Sequence, residues 1–560
     1  MIGVLVQSHE REIAREFFEL FKTPWEFYRR GQRYDVLLST GEEWDSASAK
    51  LVLLYGGDRL AFDAQNSIPL RPGAEGAMFS YQARPLPLYG PVAAFPPNQL
   101  SLVKDDARNE SLTFLSRFEG GVTVRIGYNL FEEVRLLLTV GQPPANAGTP
   151  ALELHIDLLR ELITRSGIPL LEIPPVPDGY EFIACLTHDL DHPALRNHCC
   201  DHTMFGFLYR ATIGSLSEVC RGRKPLGALA RNLGAAAKLP FVYLGIAKDP
   251  WASFDRYLEI EAGLGSTYFV IPMKGYPGRS SNGSVPGSRA SGYSVDDIKP
   301  QLEKIIAAGC EVALHGIDAW LDSDRGGEER EELARSVAAA NGGVRMHWLF
   351  FDEKSPEILD RGGFSYDSTV GYNETVGYRA GTMQAYRPPG AASLMELPLL
   401  VMDTALFYPD RRNLSNARGE QVVWRILDDA ARFGGAVTVN WHDRSIAPER
   451  LWEDFYLNLL RELKTRGAWF PTASQAVSWF GKRRSAAFGA VSWEDGVVKF
   501  NVSANPNPGT PGLRVRVHKP RAEDHFATTS VNSSAGFVDV GFDGNLTTSI
   551  TVSKTHGTNN

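Results

Sequence analysis

The run Thr187-His188-Asp189-Leu190-Asp191-His192 puts two carboxylates two residues apart, directly after an apolar stretch. Such a pair can divide labour, one aspartate binding a cation while the other stays free as a general base. Alone the signal is weak, because loop carboxylates commonly cap helices or brace turns. Three further positions strengthen it: His315-Gly316, Arg345-Met346-His347 and Trp441-His442-Asp443 each lie on or at the end of an apolar run. A single strand-end histidine is more often a satisfied structural residue, but three of them with an Asp-x-Asp pair favour one assembled site.

The elements that must position these residues follow from hydrophobic periodicity. Strands are expected at Phe182–Leu186, Ser266–Pro272, Glu311–His315, Val344–Phe350, Glu396–Leu406 and Ala436–Trp441, with amphipathic helices between them. One helix starts at the capping-box pair Ser294 and Asp297 and stops at Gly309; another spans Leu451–Thr465 and stops at Gly467. Strands alternating with helices predict an α/β fold of distorted (β/α) barrel type, in which catalytic groups gather at the carboxyl ends of the strands. The barrel is expected over 171–482, with a helical insertion at about 196–248 beside the site. Before it, residues 1–170 read as an α/β accessory domain with strands at Met1–Val6, Tyr34–Leu38 and Lys50–Tyr55 and a helix at Ala151–Arg165. The four prolines of Ile168–Gly179 read as a linker. After it, residues 483–560, rich in Val, Thr, Ser, Asn and Gly with short alternating runs, read as a small β-sandwich with a frayed tail at Ser553–Asn560.

Bulk properties narrow the function classes. With 43% hydrophobic and 22% charged residues the chain is an ordinary globular one. Its net charge of -8 is spread without long runs of one sign, so neither nucleic acid nor an anionic membrane surface is expected as a partner. No membrane span or signal-peptide core is visible, and the five unevenly spaced cysteines do not form a disulfide framework, which points to the cytoplasm.

Taken in order, these motifs resemble the polysaccharide deacetylase family, carbohydrate esterase family 4 with its NodB-homology domain, and within it a bacterial branch with an extra N-terminal domain. Thr187, Asp189 and Asp191 match the family's first motif, His315-Gly316 its metal-histidine motif, Arg345 its arginine motif, Tyr366-Asp367-Ser368-Thr369 its aromatic-acidic motif and Val439-Asn440-Trp441-His442 its final histidine motif. The strand Thr267–Pro272 is similar to the family's second strand, and the resemblance covers about 180–480.

The resemblance implies a hydrolase that removes N-acetyl groups from a sugar or polysaccharide with a divalent cation, zinc being favoured. Asp189 is then the base, His442 the acid that protonates the leaving amine, Arg345 the group that holds Asp189 ionised, and Asp367 the partner of the His442 imidazolium; Arg379 and Trp441 are expected at the substrate. Two departures stand out. The family's second metal histidine would fall at Ala319, so the set Asp191 and His315 needs a third ligand, His347 first and Asp318 second. Arg345 is followed by Met346 and His347 where the family continues into proline, and a barrel salt bridge is the bland reading of that arginine. Two alternatives stay open: a carbohydrate-binding protein with a degenerate site, and an amidase acting on a small non-sugar substrate.

Overall fold

The computed structural model describes the chain apart from residues 42–48, 73–75, 119–120, 223–224, 281–284, 338–341, Leu451, Asp495, 521–535 and 552–560. The expected frayed tail therefore lies outside the described residues. The fold is mixed α/β, and its central element is a curled sheet of parallel strands. In chain order these are β1 (Phe182–Leu190), β2 (Ser266–Val270), β3 (Glu311–Gly316), β4 (Gly343–Met346), β5 (Tyr366–Asp367), β6 (Met395–Glu396), β7 (Val401–Met402), β8 (Ala436–Asn440) and β9 (Ala468–Trp469). In space the order is β6-β5-β4-β3-β2-β1-β8-β7, with β9 added beside the start of β1.

The expected strand Glu396–Leu406 is not one strand. Its first residues pair with β5 and Val401–Met402 pair with β8, so a single stretch of chain bridges the two edges of the curl. Leu397 N–H donates to the Asp367 carbonyl at 2.8 Å and Leu400 N–H to the Thr438 carbonyl at 3.1 Å. Pro398, which has no N–H to donate, sits where the chain changes partner. The rest of the expected strand, Asp403–Phe407, is a short helix.

Alternation along the strands explains where polar groups go. On β1, Phe182, Ala184 and Leu186 face outward into the core shared with the surrounding helices, while Ile183 and Cys185 face inward. The same inward register continues through Thr187 to Asp189, so the interior changes from apolar at the amino ends of the strands to polar at their carboxyl ends. Gly343 on β4 belongs to this inner layer, where an added Cβ would lie 2.1 Å from the Tyr366 ring.

The flanking parts are tied to this sheet. Residues Ile2 to Ile126 include a six-stranded, mainly parallel sheet in the order Thr113–Phe118, Gly121–Ile126, Ala49–Tyr55, Tyr34–Ser39, Ile2–Leu5, Trp25–Phe27. The buried helix Ala151–Arg165 follows, and its Glu153 carboxylate accepts from the Thr382 hydroxyl at 2.6 Å. The expected linker is buried instead: Leu170–Glu172 form a strand that pairs antiparallel with Leu513–His518, near the end of the chain. Apolar Leu171 and Ile173 among the prolines supply the reason, because they bury against Val515 and Val517. Ala487–Glu494, Val497–Ser503 and Asn545–Thr551 form a second three-stranded antiparallel sheet whose Val498, Phe500 and Val502 share that core.

Candidate active site

The carboxyl ends of β1, β3, β4 and β8 converge on a cavity of about 380 Å³, lined by Asp189, Asp191, His315, His347 and His442 among others. That volume lies within the range of small-molecule sites, roughly 300–1,000 Å³.

Asp189 is buried and held at both oxygens. Arg345 Nη1 donates to its Oδ1 at 2.9 Å and Asn440 Nδ2 to its Oδ2 at 2.7 Å. Arg345 is itself fixed by Thr187 Oγ1 at 2.6 Å and by the Ser368 carbonyl and hydroxyl, both at 2.9 Å. Burial alone would raise the Asp189 carboxyl, but Arg345, then His315 and His442, hold it below its ordinary range. The aspartate is therefore ionised and pre-oriented.

Asp191 faces three imidazoles. Its Oδ1 is 3.4 Å from His315 Nε2 and 3.5 Å from His347 Nε2, and its Oδ2 is 3.7 Å from His442 Nε2. The His315 Nδ1–H donates to the Arg345 carbonyl at 2.9 Å, because a carbonyl can only accept; this fixes the ring with its Nε2 toward Asp191. Burial lowers His347 to about 3, so that ring is neutral. Asp191 Oδ1 is buried without a hydrogen-bond partner.

This donor set fits a divalent cation. Bonds of about 2.1 Å in tetrahedral geometry separate neighbouring donor atoms by about 3.4 Å, which is the spacing from Asp191 Oδ1 to both imidazoles and is too long for good direct hydrogen bonds. The three side chains Asp191, His315 and His347 form a group able to hold a metal ion. Asp318, the second candidate ligand, is engaged elsewhere: it accepts from the Tyr276 hydroxyl and, at 2.8 Å, from the Arg279 N–H. His347 reaches the site because β4 ends at Met346 and the chain turns sharply through Trp348 and Leu349, both at positive φ (64° and 53°). Two consecutive non-glycine residues there cost about 1–2 kcal/mol each, a strain the surrounding packing must hold in place.

His442 has a partner that the motifs did not reveal. Its Nδ1–H donates to Asp403 Oδ1 at 2.6 Å, and its backbone N–H donates to Asp403 Oδ2 at 2.7 Å. Burial would lower the imidazole, but the Asp403 carboxylate outweighs that and holds it up at about 10. Asp367, expected in this role, does not line the cavity. It accepts from the Thr369 hydroxyl and lies against Glu396, and burial raises both carboxyls. The missed signal is an aspartate at the end of a strand: the apolar run Glu396–Leu406 places Asp403 mid-strand, whereas β7 stops at Met402 and Asp403 begins a helix.

Two expected substrate contacts also move. Trp441 points outward, between the inward Asn440 and His442, and is fully buried against Phe455 and Tyr456. Arg379 donates to the Gly371 carbonyl at 2.9 Å and covers the Phe351 ring, away from the cavity. Among aromatic side chains, Trp348 lines the cavity, whereas Trp320, Tyr372 and Tyr386 do not. His188 faces outward to Glu261 at 3.2 Å, and His192 bonds to His198 at 2.9 Å.

No family model matches the sequence, and no curated protein matches it. Solved structures do. The carbohydrate deacetylase Agd3 aligns over 98% of this chain and 99% of its own at 9% identity and a TM-score of 0.36. A Mycobacterium smegmatis protein assigned as a polysaccharide deacetylase aligns over 55% of this chain and 95% of its own at 20% identity and a TM-score of 0.35. Puue allantoinase aligns over 55% of this chain and 93% of its own at 13% identity and a TM-score of 0.32. These likenesses are distant.

Proposed function

We propose that the protein is a metal-dependent hydrolase that removes the acetyl group from an N-acetylated sugar. One observation carries the reading: an ionised, doubly held Asp189 stands beside the Asp191–His315–His347 group, and His442, protonated through Asp403, stands on Asp191's other oxygen.

When bound there, a divalent cation such as zinc would polarise the amide carbonyl and make water acidic enough to lose a proton near neutral pH. Asp189 accepts that proton. Each of its oxygens keeps a lone pair after the bonds to Arg345 and Asn440, and those bonds prevent it from rotating away. His442 gives its proton to the departing nitrogen, which cannot leave as an amide anion. Asp403 keeps the imidazole protonated for that step and sets its orientation through two bonds. Trp348, about a third exposed at the cavity wall, offers a flat apolar face for a sugar ring. Two carboxylates and a charged imidazole kept buried at one point are costly unless they work together, which speaks against a degenerate binding site.

Metal content and acetate release test the reading together. Purified protein should carry about one equivalent of a divalent cation, lost in Asp191→Asn, His315→Ala and His347→Ala but kept in Asp318→Asn. It should release acetate from a panel of N-acetylated mono- and oligosaccharides. A metal-free wild type after incubation with zinc, or a fully loaded protein inert on every acetylated sugar, would reject the assignment.

A further inference from the structure

Residues 202–222 and 225–246 form the two arms of a helical hairpin beside the cavity. Its first arm is helical from His202 to Cys220, with a wider turn at Arg210–Gly214, and its second arm is the helix Leu226–Tyr243. The hairpin is anchored by one face only, through Met204, Phe207, Ala211 and Leu239 packed on Leu195 and Trp251. A buried Asn232-to-Ser215 hydrogen bond of 2.7 Å joins the two arms.

The outer face is apolar too. Phe205, Tyr209, Ile213 and Leu216 recur at spacings of four, four and three, which is one stripe of a helix, and they are 52–62% exposed. On the second arm Leu226, Leu233, Phe241, Leu244 and Ile246 are 45–74% exposed, and the first four again fall close to one face. Nine of the sixteen large apolar side chains exposed among the described residues thus lie on this one hairpin, far more than scattered surface residues would give. A helix that is apolar on both faces needs a second apolar environment.

Charge indicates which environment. Residues 201–248 contain seven Lys and Arg against two Asp and Glu, net +5, within a chain of net -8. The even spread that argued against a membrane surface conceals this local reversal. Among the described residues, exposed Arg231, Lys238 and Lys248 have no carboxylate partner. No described helix is long and apolar enough to cross a membrane. Exposed apolar stripes flanked by unpaired cations, on helices that do not span, are the features of a segment lying in the interface of an anionic bilayer.

We propose that the hairpin docks the protein on an anionic lipid bilayer, with its apolar stripes in the headgroup region and its cations against the lipid charges. His202, the first residue of the hairpin, lines the cavity, so docking holds the cavity at the bilayer surface. If combined with the deacetylase reading, on which this last step rests, the substrate is an acetylated sugar carried at that surface.

Co-sedimentation of the full chain with vesicles tests the docking. Mixed phosphatidylcholine–phosphatidylglycerol vesicles should pull down most of the wild type, pure phosphatidylcholine vesicles at least ~10-fold less, and added salt should release it. Phe205→Ser with Phe241→Ser and Leu244→Ser, and separately Arg231→Glu with Lys238→Glu, should leave the protein in the supernatant while an unchanged thermal midpoint shows that it is folded. Wild type that ignores anionic vesicles, or variants that bind as well as wild type, would overturn the proposal. So would a stable dimer in vesicle-free solution that the serine variants convert to monomer, since the stripes would then cover each other. Metal content and hydrolysis of soluble acetylated sugars, measured without vesicles, report on the deacetylase reading separately.

Discussion

Asp403→Asn separates proton donation from every other function of the site. The Asp403 carboxylate uses one oxygen for the His442 ring proton at 2.6 Å and the other for the His442 backbone N–H at 2.7 Å. A carboxamide of the same shape has a single oxygen and no charge, so it cannot serve both donors. Hydrogen bonds to a charged group contribute about 1.5–3 kcal/mol, and a positioned general acid contributes about 10²- to 10⁴-fold. We therefore expect kcat on an acetamido sugar to fall by about 10²–10⁴, with KM and metal content unchanged. The assay is a pair of substrates: the acetamido sugar, whose nitrogen must be protonated to leave, and an aryl acetate, whose phenolate leaves unaided. On the ester the loss should shrink to about tenfold or less. The pH profile should move as well. Asp403 holds His442 up at about 10, so its removal lets burial lower the imidazole and shifts the alkaline limb to lower pH. An equal loss on both substrates, or an alkaline limb that stays in place, would refute the assignment of His442 as acid and Asp403 as its partner.

Three other substitutions test the architecture. Glu172 joins the strand Leu170–Glu172 to Arg160 through two bonds of 2.9 Å and to His518 at 2.9 Å, and although burial opposes it, Arg160 and His518 hold its carboxyl well below the ordinary glutamate range. Glu172→Gln should cost about 3–5 kcal/mol in chemical denaturation. Because the folded-state value is depressed, this stability is complete above the unfolded value and is lost as pH falls through the folded one, so the gap between variant and wild type should start to narrow at about pH 4.5 and keep narrowing as the solution is made more acidic. Trp441→Phe should lower stability by about 1–3 kcal/mol in urea with KM for the sugar unchanged, whereas a substrate-binding tryptophan would show the reverse. Gly343→Ala should lower the thermal midpoint or prevent folding, since its Cβ meets the Tyr366 ring with no room to yield; a variant as stable as wild type would contradict the inner-layer packing.

The residues that local pattern determines were legible in the sequence. Period-two alternation and strand-end position are properties of a few consecutive residues, and they were enough to single out Asp189, Asp191, His315, Arg345, His347 and His442 and to expect a distorted (β/α) barrel around them, with which the curled parallel sheet is consistent. Partners brought together by the curl were not legible, because they are remote in sequence and share no motif. Asp403 comes from 39 positions before His442, and Asn440 from 251 positions beyond Asp189. That His347 rather than Asp318 is grouped with Asp191 and His315 depends on β4 lying next to β3 and on a left-handed turn after it, while Tyr276 and a loop amide take up Asp318. Trp441 and Arg379 have the types of substrate contacts, but only packing shows that one faces the outer core and the other a neighbouring aromatic ring. The proline-rich stretch after Ile168 has linker composition, yet tertiary structure buries it and makes Leu170–Glu172 a strand, because the apolar residues between its prolines meet the strand Leu513–His518 more than three hundred positions away. Sequence pattern settles which face of an element a side chain occupies; which side chain it meets there is decided by how the elements close on one another.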